Sequence, residues 1–501
     1  MNTDKARVIA LYLPQFHPVP ENDKFWGKGF TEWTNVAKAK PLFRGHNQPH
    51  IPADLGFYDL RLPEISNAQA ELAKAAGIEG FCYWHYWFGN GKQVLEMPFD
   101  RTVNTGKPDF PFCLGWANHD WTTKTWEKGQ GTMKDTMIFK QEYPGDEDYI
   151  LHFNRFLKAF KDDRYIKVDG KLLFLIFNPF GLPDTKHFIE LWNKLAIENG
   201  LKGFHFVASN SAPKLSLEST TQSFEKEFED KIDGTRSLGF DAVMTSNQKN
   251  AEFKVAGKVK KIFSAAIRRI APGLYIEKYP YKKIIDNIYT GLDEREDVYP
   301  QLLAGWDRSP RSGRKAIVYY GTTPETFKYA AQKAVDQVKN KDPEHRIIFL
   351  NSWNEWGEGG ILEPDKENGF DSLYEINVEY MKRQLAFVEK IQNMSLIGKD
   401  KISMQMESLL LECIERMNNE FHQSTEPEDI YLYDISWHTE YPQEYVAIFL
   451  LEKFANVQGN IVLIGGNGSG KSSLVKTLKG NDRENISVIP AQKTLYFSLN
   501  D

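Results

Sequence analysis

Cysteine is scarce in this chain of 501 residues. Cys82, Cys113 and Cys413 are too few and too scattered for a disulfide framework, and their scarcity points to a reducing compartment. Long apolar runs are missing as well. No stretch approaches the length of a membrane span, and residues 8–13 run straight into Pro14 without forming the apolar core of a secretory leader. Positive charge is not in excess. A formal net charge of −6 excludes a dedicated nucleic-acid binder. Metal-ligand patterns are lacking too: the 11 histidines form no His-Glu-x-x-His pair and no close set with cysteine, so no metal is expected. The expectation from these absences is a soluble, cytoplasmic protein.

What is present centres on residues 347–365, I-I-F-L-N-S-W-N-E-W-G-E-G-G-I-L-E-P-D. The stretch opens as a short apolar strand and then turns polar at once. Gly357, Gly359 and Gly360 let the backbone bend there. Glu355 and Glu358, three residues apart and flanked by Trp353, Trp356 and Asn354, suit chemistry on a sugar. The acids can move protons, the indoles can stack on pyranose rings, and the amide can hold a hydroxyl.

Strand-like runs at residues 8–13, 80–87, 112–118, 172–178, 204–210, 242–247, 298–306 and 347–353 alternate with segments of helical period. Eight βα units predict an α/β chain with a closed (β/α)8 barrel of the TIM type over residues 1–395. Polar and aromatic residues gather at the carboxyl ends of these strands, where barrel enzymes build their sites. The candidates are Gln15 and His17 after the first strand, Trp84, His85 and Trp87 on the second, and Trp116, Asn118, His119 and Asp120 after the third. Trp306 and Asp307 follow the seventh. An insertion at 252–287 interleaves lysine and arginine with aliphatic residues, as a basic amphipathic helix on a membrane surface or a helix packed on its own domain would.

Residues 396–501 change character. A strand near residues 461–464 runs into G-G-N-G-S-G-K-S-S, in which Gly465, Gly470, Lys471 and Ser472 fit a phosphate-binding loop for ATP and Mg²⁺. Only the front of such a nucleotide-binding domain fits in the remaining length, so ATP turnover by this segment is not expected. The barrel itself needs no cofactor.

Five motifs in order, Leu13-Pro14-Gln15-Phe16-His17, Gly29-Phe30-Thr31-Glu32-Trp33, His85-Tyr86-Trp87-Phe88, Trp116-Ala117-Asn118-His119 and Asn354-Glu355-Trp356-Gly357-Glu358-Gly359, resemble the WbsX family. That family carries a glycosyltransferase label in polysaccharide gene clusters and is similar to glycoside hydrolase family 99, the endo-α-mannosidases. The resemblance adds Glu32 and Trp33 to the site and implies roles. Glu355 would deprotonate the 2-hydroxyl of the sugar, giving a 1,2-anhydro intermediate, and Glu358 would act as acid and then base. In the hydrolases the motif reads N-E-W-H-E-G, so Gly357 departs from it. The tail resembles the front of P-loop ATPases of the AAA/ABC type.

The expected function is a retaining glycosidase or transglycosylase acting on an α-linked glycan, an oligo- or polysaccharide that could be lipid-linked, in cell-surface polysaccharide metabolism. Two alternatives stand beside it. One is a glycosyltransferase of O-antigen (lipopolysaccharide) or capsule biosynthesis; the other is an inactive glycan-binding module with a nucleotide-binding tail.

Overall fold

The computed structural model describes residues 6–53, 55–122, 136–213, 221–270 and 275–368, together with strands at 460–463, 486–490 and 495–499. Eight strands form the core: β1 (Arg7–Tyr12), β2 (Gly80–Trp87), β3 (Phe112–Trp116), β4 (Lys171–Ile176), β5 (Phe204–Ser211), β6 (Ala242–Ser246), β7 (Val298–Leu303) and β8 (Ile347–Asn351). Each pairs in parallel with its sequence neighbour, and β1 pairs with both β2 and β8, so the sheet closes. A barrel strand is covered by side chains inside and helices outside, so it reads as an unbroken apolar run. In β4, Leu172 through Ile176 are all buried. All eight strands expected from the sequence are there, their ends shifted by a few residues.

Helices between the strands complete the βα units. Thr185–Glu198 starts at Asp184, whose carboxylate accepts from the His187 amide, and Pro324–Val338 starts with a capping box on Thr323. Their apolar faces, Phe188, Ile189 and Trp192 in the first and Phe327, Ala330 and Ala334 in the second, are buried.

The basic insertion becomes a helix (Gln248–Ile270), a strand (Glu277–Pro280) and a second helix (Tyr281–Ile288). The strand pairs in parallel with Ile317–Tyr320, outside the barrel. Several of its cations are engaged within the domain. Lys261 bonds Glu277 at 2.6 Å and Glu252 at 3.2 Å, and the ammonium groups of Lys278 and Lys282 lie over the rings of Phe43 and Tyr329. Among the described residues no helix is long and apolar enough to cross a membrane.

The chain divides into two compact units, Met1–Asn377 and Val378–Asp501. In the second, Asn460–Leu463 and Ile486–Pro490 each pair antiparallel with Leu495–Leu499. Gly465, Gly470, Lys471 and Ser472 lie outside the described residues.

Candidate active site

Beyond Asn351 the chain folds back on itself. Asn354–Glu355 pairs antiparallel with Gly360–Ile361, around a 3-10 turn at Trp356–Glu358 that ends on Gly359 at φ +66°. Side chains pin this hairpin to the barrel. Ser352 Oγ accepts from the Glu355 amide at 3.0 Å and donates to the Gly360 carbonyl at 2.8 Å. Asn354 accepts from Leu13 N at 2.8 Å and donates to Leu13 O at 3.0 Å, tying the hairpin to the end of β1. The Trp356 indole donates to Glu363 at 2.6 Å, and Glu363 also receives Tyr58 Oη and Gln69 Nε2. Burial pushes the Glu363 carboxyl up to about 7, against the pull of these donors.

The hairpin brings the two acids to one guanidinium. Arg311 donates through Nη1 to Glu358 at 2.6 Å and through Nη2 to Glu355 at 2.7 Å and Glu32 at 2.9 Å. Arg308 adds a second guanidinium to Glu358 at 3.1 Å. Glu32 is fully buried, whereas the side chains of Glu355 and Glu358 remain 16% and 14% exposed, so the pair still faces solvent. Burial raises the Glu355 carboxyl above its ordinary value; Arg311 opposes this and the charge of Glu358 adds to it. Burial also lifts Glu32 to about 7, again opposed by Arg311 and reinforced by Glu355. Oε2 of Glu32 and Nε2 of Gln15 are buried without a hydrogen-bond partner among the described residues.

The pleat of β2 sorts its aromatic residues. Trp84 and Tyr86 are partly exposed, while His85 and Trp87 are buried on the opposite face. There His85 meets His152 of the helix Asp146–Phe160 at 3.0 Å, and Trp87 stacks on the same imidazole while bonding Asp148. Trp116, fully buried, donates to the Trp87 carbonyl. These three were expected to contact substrate; they pack the barrel against its helices instead, with no open face for a sugar. Tyr86 does lie near the acids, for after burial the charge of Glu355 is the largest influence raising its phenol.

Other candidates are also taken up by the scaffold. Trp353 and Trp356 are buried, so they do not wall a cleft, and Asn354 spends its amide on Leu13 rather than on a ligand. Asn118 is fully buried and bonded to Asn178 on both sides of its amide. Trp33 donates to the Tyr58 carbonyl and packs on Phe16 and Trp356, holding the loop that carries Glu32. His17 is buried, its imidazole lowered by burial. His119 and Asp120 are exposed, the latter capping the Gln141 amide. Asp307 turns away from the acids to accept from His46 and Gln48. The structure thus brings together Glu32, Glu355 and Glu358. It adds Arg311 and Arg308, which the sequence does not single out, and Tyr86, which the sequence shows in the His85-Tyr86-Trp87-Phe88 motif without a role of its own. The signal for the arginines was present: polar residues continue past Asp307 at the end of β7 into the short helix Ser309–Ser312.

Three carboxylates around a buried guanidinium can hold one proton while keeping a base beside it. That is the equipment of general acid–base chemistry. Among the described residues no group of three His, Cys, Asp or Glu side chains could hold a metal ion.

The model of the family described as "Glycosyltransferase WbsX" matches residues 8–376. The uncharacterized protein WxcX of Xanthomonas campestris pv. campestris is 34% identical over 368 residues, covering 73% of this chain and 48% of WxcX, and the counterpart from a second strain matches equally. The chain therefore spans about half the length of the curated relatives it matches. Among solved structures, a glycoside hydrolase-like protein superposes with a TM-score of 0.45 at 13% identity, covering 75% of this chain and 94% of the other. An endo-α-mannosidase of glycoside hydrolase family 99 from Bacteroides thetaiotaomicron gives 0.43 at 12% identity, with coverage of 76% and 98%.

Proposed function

The chain belongs to the WbsX glycosyltransferase family, and from that premise we propose that its barrel cleaves or transfers α-linked glycans through Glu355 and Glu358, with retention at the anomeric carbon. The observation that carries this reading is the single guanidinium of Arg311 bonded to both acids, which makes their side chains converge. Glu355 takes the proton of the sugar's 2-hydroxyl, and the freed oxygen attacks the anomeric carbon. The bond to the leaving group breaks as Glu358 donates its proton to the departing oxygen. An acceptor hydroxyl, deprotonated by Glu358, then opens the 1,2-anhydro ring while the 2-oxygen recovers its proton from Glu355. Water as acceptor gives hydrolysis; a sugar hydroxyl gives transfer. The raised carboxyl of Glu355 favours its part, because a carboxylate that binds protons more tightly is a stronger base.

A second reading, transfer from a nucleotide-sugar donor, draws support from the family's description. The charge of the site weighs against it, since three carboxylates face two guanidiniums and leave no surplus cation for a diphosphate. Incubation with α-linked oligosaccharides and, separately, nucleotide-sugar donors distinguishes the two. New reducing ends or new oligosaccharides formed without donor support the first reading, and consumption of donor alone supports the second. For residues 393–501 the proposal is weak nucleotide binding through Lys471 without turnover; ATP hydrolysis by the isolated segment would refute it.

A further inference from the structure

Against the hairpin that carries the acids lies a cavity of about 230 Å³. It is lined by Leu362 and Glu363, by residues of the 45–50 segment, and by the end of the outer strand Ile317–Tyr320 with the turn after it. Asp307 lines this cavity and is also bonded to the turn that carries the acids. Its amide donates to the Glu358 carbonyl at 2.6 Å, while its carboxylate accepts from His46 at 2.7 Å. Gly359 lies so close that a Cβ there would stand 2.6 Å from Asp307 N.

The lining selects a class of ligand. It contains no lysine or arginine, and the imidazoles of His46 and His50 are paired with Asp307 and Asp365 among four lining carboxyl groups, so a phosphate or sulfate would meet a surplus of negative charge. A metal ion is not accommodated either, since no described cluster of ligands is close enough. What the walls offer is the carboxyl groups of Asp307, Glu363, Asp365 and Glu367 and the imidazoles of His46 and His50, with hydroxyls and amides from Thr322, Thr323, Asn47 and Asn368, beside the ring of Tyr320, which is 41% exposed, and that of Trp306. Carboxylate and amide acceptors with hydroxyl donors next to an aromatic face suit an uncharged, hydroxyl-rich ring, whose hydroxyls can donate to the carboxylates.

We infer that this cavity is a second carbohydrate site, holding one neutral sugar unit one residue's thickness away from Glu358. The inference leans on the proposed function only for its choice of probes. The sugar is either a distal unit of the glycan at the acid pair or part of a separate chain, and chain length tells these apart.

The test is calorimetric titration of methyl α-mannoside and of α-linked mannobiose and mannotetraose. It compares wild type, Thr322→Trp, which fills the cavity, Tyr320→Ala, which removes its exposed ring, and the double variant Glu355→Gln/Glu358→Gln. Both cavity variants are expected to melt like wild type and to bind about tenfold more weakly. Weakening for the tetrasaccharide alone marks a distal unit; weakening for the monosaccharide as well marks an independent site. Wild-type affinity for every sugar in both cavity variants would overturn the inference while leaving the acid pair's role untouched. Loss in the cavity variants but not in the glutamine double variant supports the second site and counts against the acid pair as a sugar-binding centre. No binding to wild type by any of these sugars would overturn the inference along with the reading of the acid pair.

Discussion

A Cβ placed on Gly357 would stand 1.9 Å from Oε1 of Glu32 and 2.9 Å from Nε of Arg311. No side chain at 357 can coexist with that ion pair where it stands, so the residue between the two acids is glycine for reasons of space. The Glu32–Arg311 pair fills the volume that a side chain at 357 would need. Gly357→Ala is expected to cost about 3 kcal/mol, from crowding and from a displaced buried ion pair. Denaturant midpoints check this, and a loss below ~1 kcal/mol would show that the pair moves aside freely.

Arg311 is the common partner of three carboxylates, so its removal should do more harm than that of any one acid. Arg311→Gln leaves Glu32 and Glu355 without their ion-pair partner and Glu358 with Arg308 alone, and a cost of about 3–5 kcal/mol is expected. Arg311→Lys keeps the charge but loses the fork that reaches Glu355 and Glu358 together, so it should fold better than the glutamine variant and still lose most turnover. Equal activity in Arg311→Lys and wild type would remove the shared-fork geometry from the account.

Glu32 and Glu363 are both lifted to about 7 by burial. Between their unfolded value near 4.5 and 7, each holds a proton in the fold that it has lost in the unfolded chain. The fold therefore binds more protons in that window, and their contribution to stability falls as pH rises through it, levelling above. Glu363→Gln does not titrate, so the stability of wild type relative to this variant should drop by roughly 1–3 kcal/mol between about pH 5 and pH 7.5. Urea melts of the two proteins at several pH values give the difference directly; a constant difference would contradict the raised carboxyl.

Asn354→Ala removes two buried hydrogen bonds to the backbone of Leu13 and leaves that amide and carbonyl unpaired. The expected cost is about 2–4 kcal/mol in thermal or denaturant unfolding. If Asn354 instead served only a ligand, stability would be unchanged and glycan affinity alone would fall.

The barrel was legible because its strands are buried on both faces, which makes runs such as Leu172–Leu173–Phe174–Leu175–Ile176 continuous in the sequence. The acid pair was legible as a local motif, being only three residues apart. The aromatic wall was not. Which of Trp84, His85, Tyr86 and Trp87 look inward depends on the pleat's parity against neighbouring strands, and the sequence does not display parity when all four positions are aromatic. Arg311 was hidden for a different reason. It stands 44 residues before Glu355 in the short polar helix Ser309–Ser312 and meets the acids only after β7 and β8 lie side by side.

The central claim is that Glu355 and Glu358 act as one unit across a single sugar. The measurement that bears on it most directly is the turnover of one α-linked oligosaccharide by wild type, Glu355→Gln, Glu358→Gln and the double variant. Each single change should lower the rate by on the order of 10²-fold or more, and the double variant should be little slower than the worse single one, as groups serving the same step are not additive. Losses that multiply in the double variant, or a single variant that turns over as fast as wild type, would contradict the claim.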